Sequence, residues 1–196
     1  DRFEAENHFL HVVLPSIVRP GEPFALRAVM MDARGMPDEG WTGTIPLECD
    51  GPGLSFPDAI EFTADDLGMV TVEGLVAHEP GAWSLTATPP GCPGHPPRSN
   101  PVVARESGPR LFWGDIHVHT VLGNCHADRC KSPEFAYWYA RNVALADFGS
   151  TTDHVRGIHL DPDNWPRIQE AAHRHNVPGE FIAFLGPSGC GKSTLL

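Results

Sequence analysis

The sequence predicts an α+β chain in two parts, a β-sandwich over residues 1–105 followed from residue 111 by strands that alternate with helices. Three observations predict it. The first half is built of short alternating apolar runs cut by Pro/Gly turns. After Arg110, runs of helical length separate the apolar strands. Seven of the 11 histidines fall between His117 and His175, in the second part alone.

In the first part, PFALRAVMMDA places Phe24, Leu26, Ala28 and Met30 on one face of a strand, and GAWSLTAT does the same with Trp83, Leu85 and Ala87. AIEFTADD and MVTVEGLVAH read similarly. RPGEP, ARGMPDEG, DGPG and HEPG supply turn chemistry between them. About seven strands at this spacing predict a sandwich. His8, His11 and His78 belong to no catalytic cluster and read as structural or surface residues. TPPGCPGHPPRSNP is a loop, VVAR a last short strand, and RESGPR (with 106–110 as linker) the hinge between the parts.

In the second part, LFWGDIHVH predicts a buried strand. SPEFAYWYARNVALA predicts a helix with Ser132 as N-cap and Pro133 at the first helical position. Phe135, Trp138, Tyr139 and Asn142 recur at helical spacing and predict the face that packs on a sheet. DFGSTTDH is a second strand, DNWPRIQEAAHRHN a second helix and EFIAFL a third strand. Such alternation predicts parallel pairing with right-handed crossovers.

Composition removes several functional classes. Lys plus Arg is 14 against 25 Asp plus Glu, a net charge of -11, which argues against nucleic acid as the main partner. No apolar run approaches the roughly 18 residues that span a bilayer. DRFEAENHFL has no signal-peptide character. Five cysteines, an odd number, argue against a disulfide framework and favour a reducing, cytoplasmic compartment.

The chemistry concentrates at two strand ends. In DIHVHT, strand alternation turns Asp115, His117 and His119 to one face, with the histidines roughly 6.6 Å apart along the strand. The next strand ends in STTDH, which brings His154 to the same C-terminal edge, where parallel sheets build their sites. Imidazoles so placed reach one metal ion or two adjacent ones, and Asp115 and Asp153 are candidates to orient them from behind. Histidine donors suit zinc, manganese or iron better than magnesium.

WGDIHVHT followed by SPEFAYWYARNVALADFGSTTDH resembles the polymerase and histidinol phosphatase (PHP) superfamily of metal-dependent hydrolases. More narrowly, it resembles a bacterial branch in which an immunoglobulin-like segment ends in SNPV, here Ser99-Asn100-Pro101-Val102, and runs into WGDxHxH. The similarity covers residues 9 to 185. It implies a distorted β/α barrel, begun here over 111–185 and truncated, with a multinuclear metal site. It implies His117, His119 and His154 as ligands and phosphoester hydrolysis by a water that the metal ions activate. A small-molecule substrate is the partner expected from this hydrolase resemblance. The family carries an acidic residue after HxHT. Asn124 and Cys125 stand there, so His126 or Asp128 is the expected substitute, with Cys125 and Cys130 also suited to zinc. His159 is placed to line the site's mouth; His173 and His175 fall on different helix faces and read as solvated.

The last residues, FLGPSGCGKSTLL, resemble the Walker A segment of ABC-transporter ATPases, with Gly186, Gly191, Lys192 and Ser193 matching G-x-x-x-x-G-K-[ST]. A phosphate loop works by capping a helix, and only three residues follow Ser193, so 186–196 reads as a Walker A-like tail without its helix and no nucleotide cofactor is expected. Three functions follow in order. The first is a fragment of a metal-dependent hydrolase, with little or no activity of its own. The second is a non-enzymatic β-sandwich binding module carrying a hydrolase remnant. The third is an ABC-type ATP-binding fragment.

Overall fold

A computed structural model describes residues 8–90, 96–123, 131–154 and 163–186. The chain divides into two compact units, Asp1–Leu111 and Phe112–Leu196.

The first unit is β-rich. Its strands are β1 (Phe9–Val13), β2 (Ile17–Val18), β3 (Pro23–Met31), β4 (Gly43–Cys49), β5 (Leu54–Ser55), β6 (Ala59–Phe62), β7 (Met69–Ala77), β8 (Gly81–Trp83), β9 (Leu85–Ala87) and β10 (Val102–Ala104). They form three small sheets ordered β1-β3-β7-β5, β6-β4-β9 and β2-β10-β8. Every pairing is antiparallel except β2 with β10. Along β3 the predicted face is buried at Leu26, Ala28 and Met30, and Val29 on the other face is buried as well. Trp83, Leu85 and Ala87 join them in one core with Ile45, Ile60, Phe62 and Leu75. Burial of such side chains contributes about 1.5–3 kcal/mol each for the larger ones.

Asn100 shows how a turn residue closes this core. Its side-chain oxygen accepts from Leu14 N at 2.9 Å and its amide donates to Leu14 O at 2.8 Å, imitating a strand partner. Its neighbour Ser99 bonds Leu85 from both main-chain and hydroxyl groups. The Ser-Asn pair thus satisfies backbone groups that β-pairing leaves over, as buried polar groups require.

The second unit holds β11 (Gly114–Val118), α1 (Pro133–Asn142), β12 (Phe148–Thr151), α2 (Asn164–His175) and β13 (Ile182–Leu185). The three strands pair in parallel in the order β11-β12-β13. Ser132 caps α1 by accepting from Phe135 N at 3.2 Å, and Pro133 opens the helix. Helix α1 stops at Asn142, earlier than the sequence pattern predicts, and Leu145 beyond it takes a left-handed φ of 56°.

Two expectations are corrected. The α+β chain with an N-terminal sandwich and the start of a PHP-type β/α barrel is not what folds. The described residues are mainly β, about 40% strand and 18% helix, in several small sheets with two α-helices. The physical reason lies in where the patterns are long enough to act. Period-two runs with turns dominate the first unit and give, among the described residues, ten short strands in three sheets. Helical periodicity is sustained over only two stretches, and among the described residues the parallel sheet has three strands in the order β11-β12-β13.

The second correction concerns α1. Its buried residues are Pro133 and Tyr137, and Tyr137 shares a core with Ala171, Ala172 and Phe181. Phe135, Trp138 and Tyr139 are half-buried and pack on one another, with ring centroids 5.8 Å apart in both pairs that Phe135 makes. Small Ala140 flanks Tyr137 and allows close approach to the sheet, so the stripe that packs inward is narrower than the aromatic one. Among the described residues no helix is long and apolar enough to cross a membrane.

Candidate functional site

The site is built where β11 and β12 end. Gly114 starts β11 because nothing larger fits there: a Cβ at that position would lie 2.1 Å from Phe148 O. The strands therefore approach closely, and Gly114 pairs with Phe148 and Asp115 with Gly149. The register then shifts before Val118 meets Thr151. Such an irregularity re-aims side chains at a strand end. The ladder continues one step further, with Thr152 N donating to Val118 O at 2.7 Å. His119 follows directly on β11, and His154 stands three residues beyond β12.

The three imidazoles come together. The ring centroids of His117 and His119 are 5.0 Å apart, and those of His119 and His154 are 4.4 Å apart. His119 stands between the other two and is half-buried, while His117 and His154 are exposed. Solvent thus reaches the outer rings.

What holds the rings there is a contact that spacing alone does not reveal. Asp153 is 1% exposed, and both carboxylate oxygens are engaged by Thr120. Thr120 N donates to one at 2.6 Å and Thr120 Oγ1 to the other at 2.7 Å. Thr120 follows His119 and Asp153 precedes His154. The clamp therefore fixes the two histidines' backbones to each other. Charge-assisted bonds of this kind are the strong ones, and a buried carboxylate requires them. Gly123 lies in the 3-10 turn after Thr120, where a Cβ would sit 2.7 Å from Asp153 Oδ1, so the turn closes over the carboxylate only with glycine.

Asp153, expected to orient an imidazole, thus acts on the backbone at Thr120. Asp115 also faces backbone: its carboxylate accepts from His117 N at 2.8 Å. His126 and Asp128, the expected further ligands, lie outside the described residues, as do Cys125, Cys130, His159 and the glycine-lysine tail 187–196. His173 is exposed on α2. His175 is half-buried, its ring stacked on Tyr137 at 6.2 Å between centroids. Burial holds the His175 pKa below its ordinary value, with the Arg141 and Arg174 charges acting the same way and Glu134 opposing them.

Two residues that the sequence reading passes over prove central. Thr120 was legible as the donor that any buried Asp153 needs. Tyr137 was hidden by its aromatic neighbours. Its hydroxyl donates to Phe184 O at 2.5 Å and is 3.0 Å from Thr151 Oγ1, which ties α1 to both β12 and β13. Burial raises the Tyr137 pKa, so the hydroxyl stays a donor.

Chemically, three neutral imidazoles are donors for borderline divalent cations such as zinc, manganese or iron. Among the described residues, no group of three or more His, Cys, Asp and Glu side chains is already arranged to hold a metal ion. The rings are neighbours whose donor atoms do not yet converge. No protein-family model and no curated protein sequence matches the chain.

Proposed function

We propose that the chain is part of a metal-dependent hydrolase, acting on a phosphoester or a similar small substrate, with His117, His119 and His154 as ligands. The observation that carries this reading is the row of three imidazoles, 5.0 and 4.4 Å between successive centroids, beside a buried carboxylate that bonds Thr120. Imidazole rings gain little from crowding at an exposed sheet edge, whereas a shared cation repays it. The resemblance of WGDIHVHT and STTDH to the PHP superfamily supports the same assignment.

A bound divalent cation would supply Lewis acidity toward the scissile group and toward a water at neutral pH. The chain's own residues do the rest. His119 is held by the Thr120–Asp153 clamp and sets the depth of the site. His117 and His154, both exposed, flank the approach of substrate. His126 and Asp128 are the further donors the reading assigns.

The test is metal content and activity measured together. Protein exposed to zinc, manganese or iron and then desalted is expected to retain the metal in stoichiometric amount. The His117→Ala/His119→Ala double variant is expected to lose it. Retention by the double variant equal to wild type would remove the assignment. Hydrolysis of a chromogenic phosphomonoester is expected to follow the metal content.

A further inference from the structure

The segment between the two units reads in sequence as a hinge, yet its backbone is gripped. Strand β10 ends at Ala104, and Arg105 N donates to Val18 O at 3.1 Å, continuing the parallel pairing with β2. Beyond that point residues 106–110 are exposed to solvent. Even so, Arg19 Nη1 donates to Arg105 O at 2.9 Å and Arg19 Nη2 donates to Gly108 O at 2.5 Å. One guanidinium thus spans two carbonyls of the segment. The Arg105 side chain turns back to Pro109 O, and Arg110 Nη2 meets Glu22 Oε2 at 3.0 Å.

Arg19 and Glu22 are the first and last residues of a single β-turn, Arg19-Pro20-Gly21-Glu22, closed by Glu22 N donating to Arg19 O at 3.2 Å. Gly21 has φ 78°, the left-handed position that follows proline in a type II turn. A rigid turn therefore presents a cation and an anion, and both hold the same six residues. Planar guanidinium is suited to this, because its donors are held in a fixed fork that reaches two separated acceptors, where an ammonium is a compact charge on a flexible stem.

We propose that residues 105–110 form a latched strap, held to the first unit by the Arg19–Glu22 turn, and that its release is a conformational device lengthening the tether between the units. With the strap closed, the boundary lies at the step from Leu111 to Phe112. With it open, six more residues are paid out, roughly 20 Å of added reach at full extension.

Trypsin tests this on the full chain, because Arg105 and Arg110 are themselves cleavage sites within the strap. Arg34 serves as the internal reference, since its side chain is 86% exposed in a turn far from the strap in sequence. Cleavage at a closed segment tracks the population of its open form. Arg19→Ala is expected to speed cleavage after Arg105 and Arg110 by about tenfold relative to Arg34, the scale of losing charge-assisted bonds. Arg19→Lys, which keeps the charge and the stem but not the fork, is expected to give a smaller rise at the same two sites. Gly108→Ala attacks the latch from the other side, because Gly108 has φ 99° and a Cβ there would lie 3.4 Å from Arg105 Cζ. It too is expected to open both sites. If Arg19→Ala instead raises cleavage equally at Arg34, the Lys and Gly108 variants decide. A rise confined to the strap in those two supports the latch. Rates within twofold of wild type, or a uniform rise at all three sites, overturn it.

Discussion

At the scale of single residues, the candidate site rests on Thr120 and Asp153. A carboxylate at 1% exposure persists only if its oxygens are satisfied, and Thr120 satisfies both. Thr120→Val keeps the shape and the backbone donor but removes the hydroxyl. It is expected to destabilise the second unit by about 1–3 kcal/mol in urea unfolding, the cost of stranding a buried acceptor. It is also expected to weaken metal retention, because the spacing of His119 and His154 depends on the clamp. His175 provides a second check. With its folded pKa held below the ordinary 6.5, the unfolded chain takes up a proton that the folded chain resists. Its contribution is therefore complete above pH 6.5 and is lost as the pH falls below that value through the folded pKa. His175→Phe keeps an aromatic ring against Tyr137 and removes the proton. Thermal melts of this variant between pH 7 and pH 5 are expected to show a shallower acid dependence than wild type.

At the scale of elements, α1 is the informative case. The Ser132 cap and Pro133 start were legible because capping is local chemistry. The packing face was not, because Phe135, Trp138 and Tyr139 outweigh the Pro133–Tyr137 stripe in any count of apolar residues. What settles the face is a polar atom. The Tyr137 hydroxyl finds Phe184 O and Thr151 on two strands, partners that lie far off in sequence. Tyr137→Phe leaves those groups without the hydroxyl and is expected to cost about 1–3 kcal/mol in equilibrium unfolding. A change below a few tenths would show that the hydroxyl does not staple the helix to the sheet. The ends of β11 and β12 were legible to within a few residues. The register shift between Asp115 and Val118 was not, and it is the reason simple alternation from Asp115 through His119 describes this stretch incompletely. Asp115, read as an imidazole partner by that alternation, bonds its own strand's backbone.

At the scale of the whole molecule, the sequence carried the contrast between the parts but not the class. Turn-rich alternation did give a β-rich first unit with one shared core. The expected α+β class failed because strand content dominates and the parallel sheet among the described residues stops at three strands. The six residues read as a hinge, 105–110, lie at the end of the first unit and are bonded there to Arg19 and Glu22. Gly and Pro signal a break in regular structure, and they say nothing about side chains elsewhere that grip the broken segment. The histidines were legible as candidates because HxH and TDH stand at successive strand ends, yet the force that gathers them, a threonine on a buried aspartate, emerges only in three dimensions.

The central claim is that His117, His119 and His154 share a divalent cation. Calorimetric titration of the intact chain with zinc addresses it most directly. The prediction is a saturable, stoichiometric heat that disappears in the His117→Ala/His119→Ala variant and weakens as the pH falls, since imidazole must shed its proton to ligate. An unchanged titration in that variant, with both proteins folded, would contradict the account.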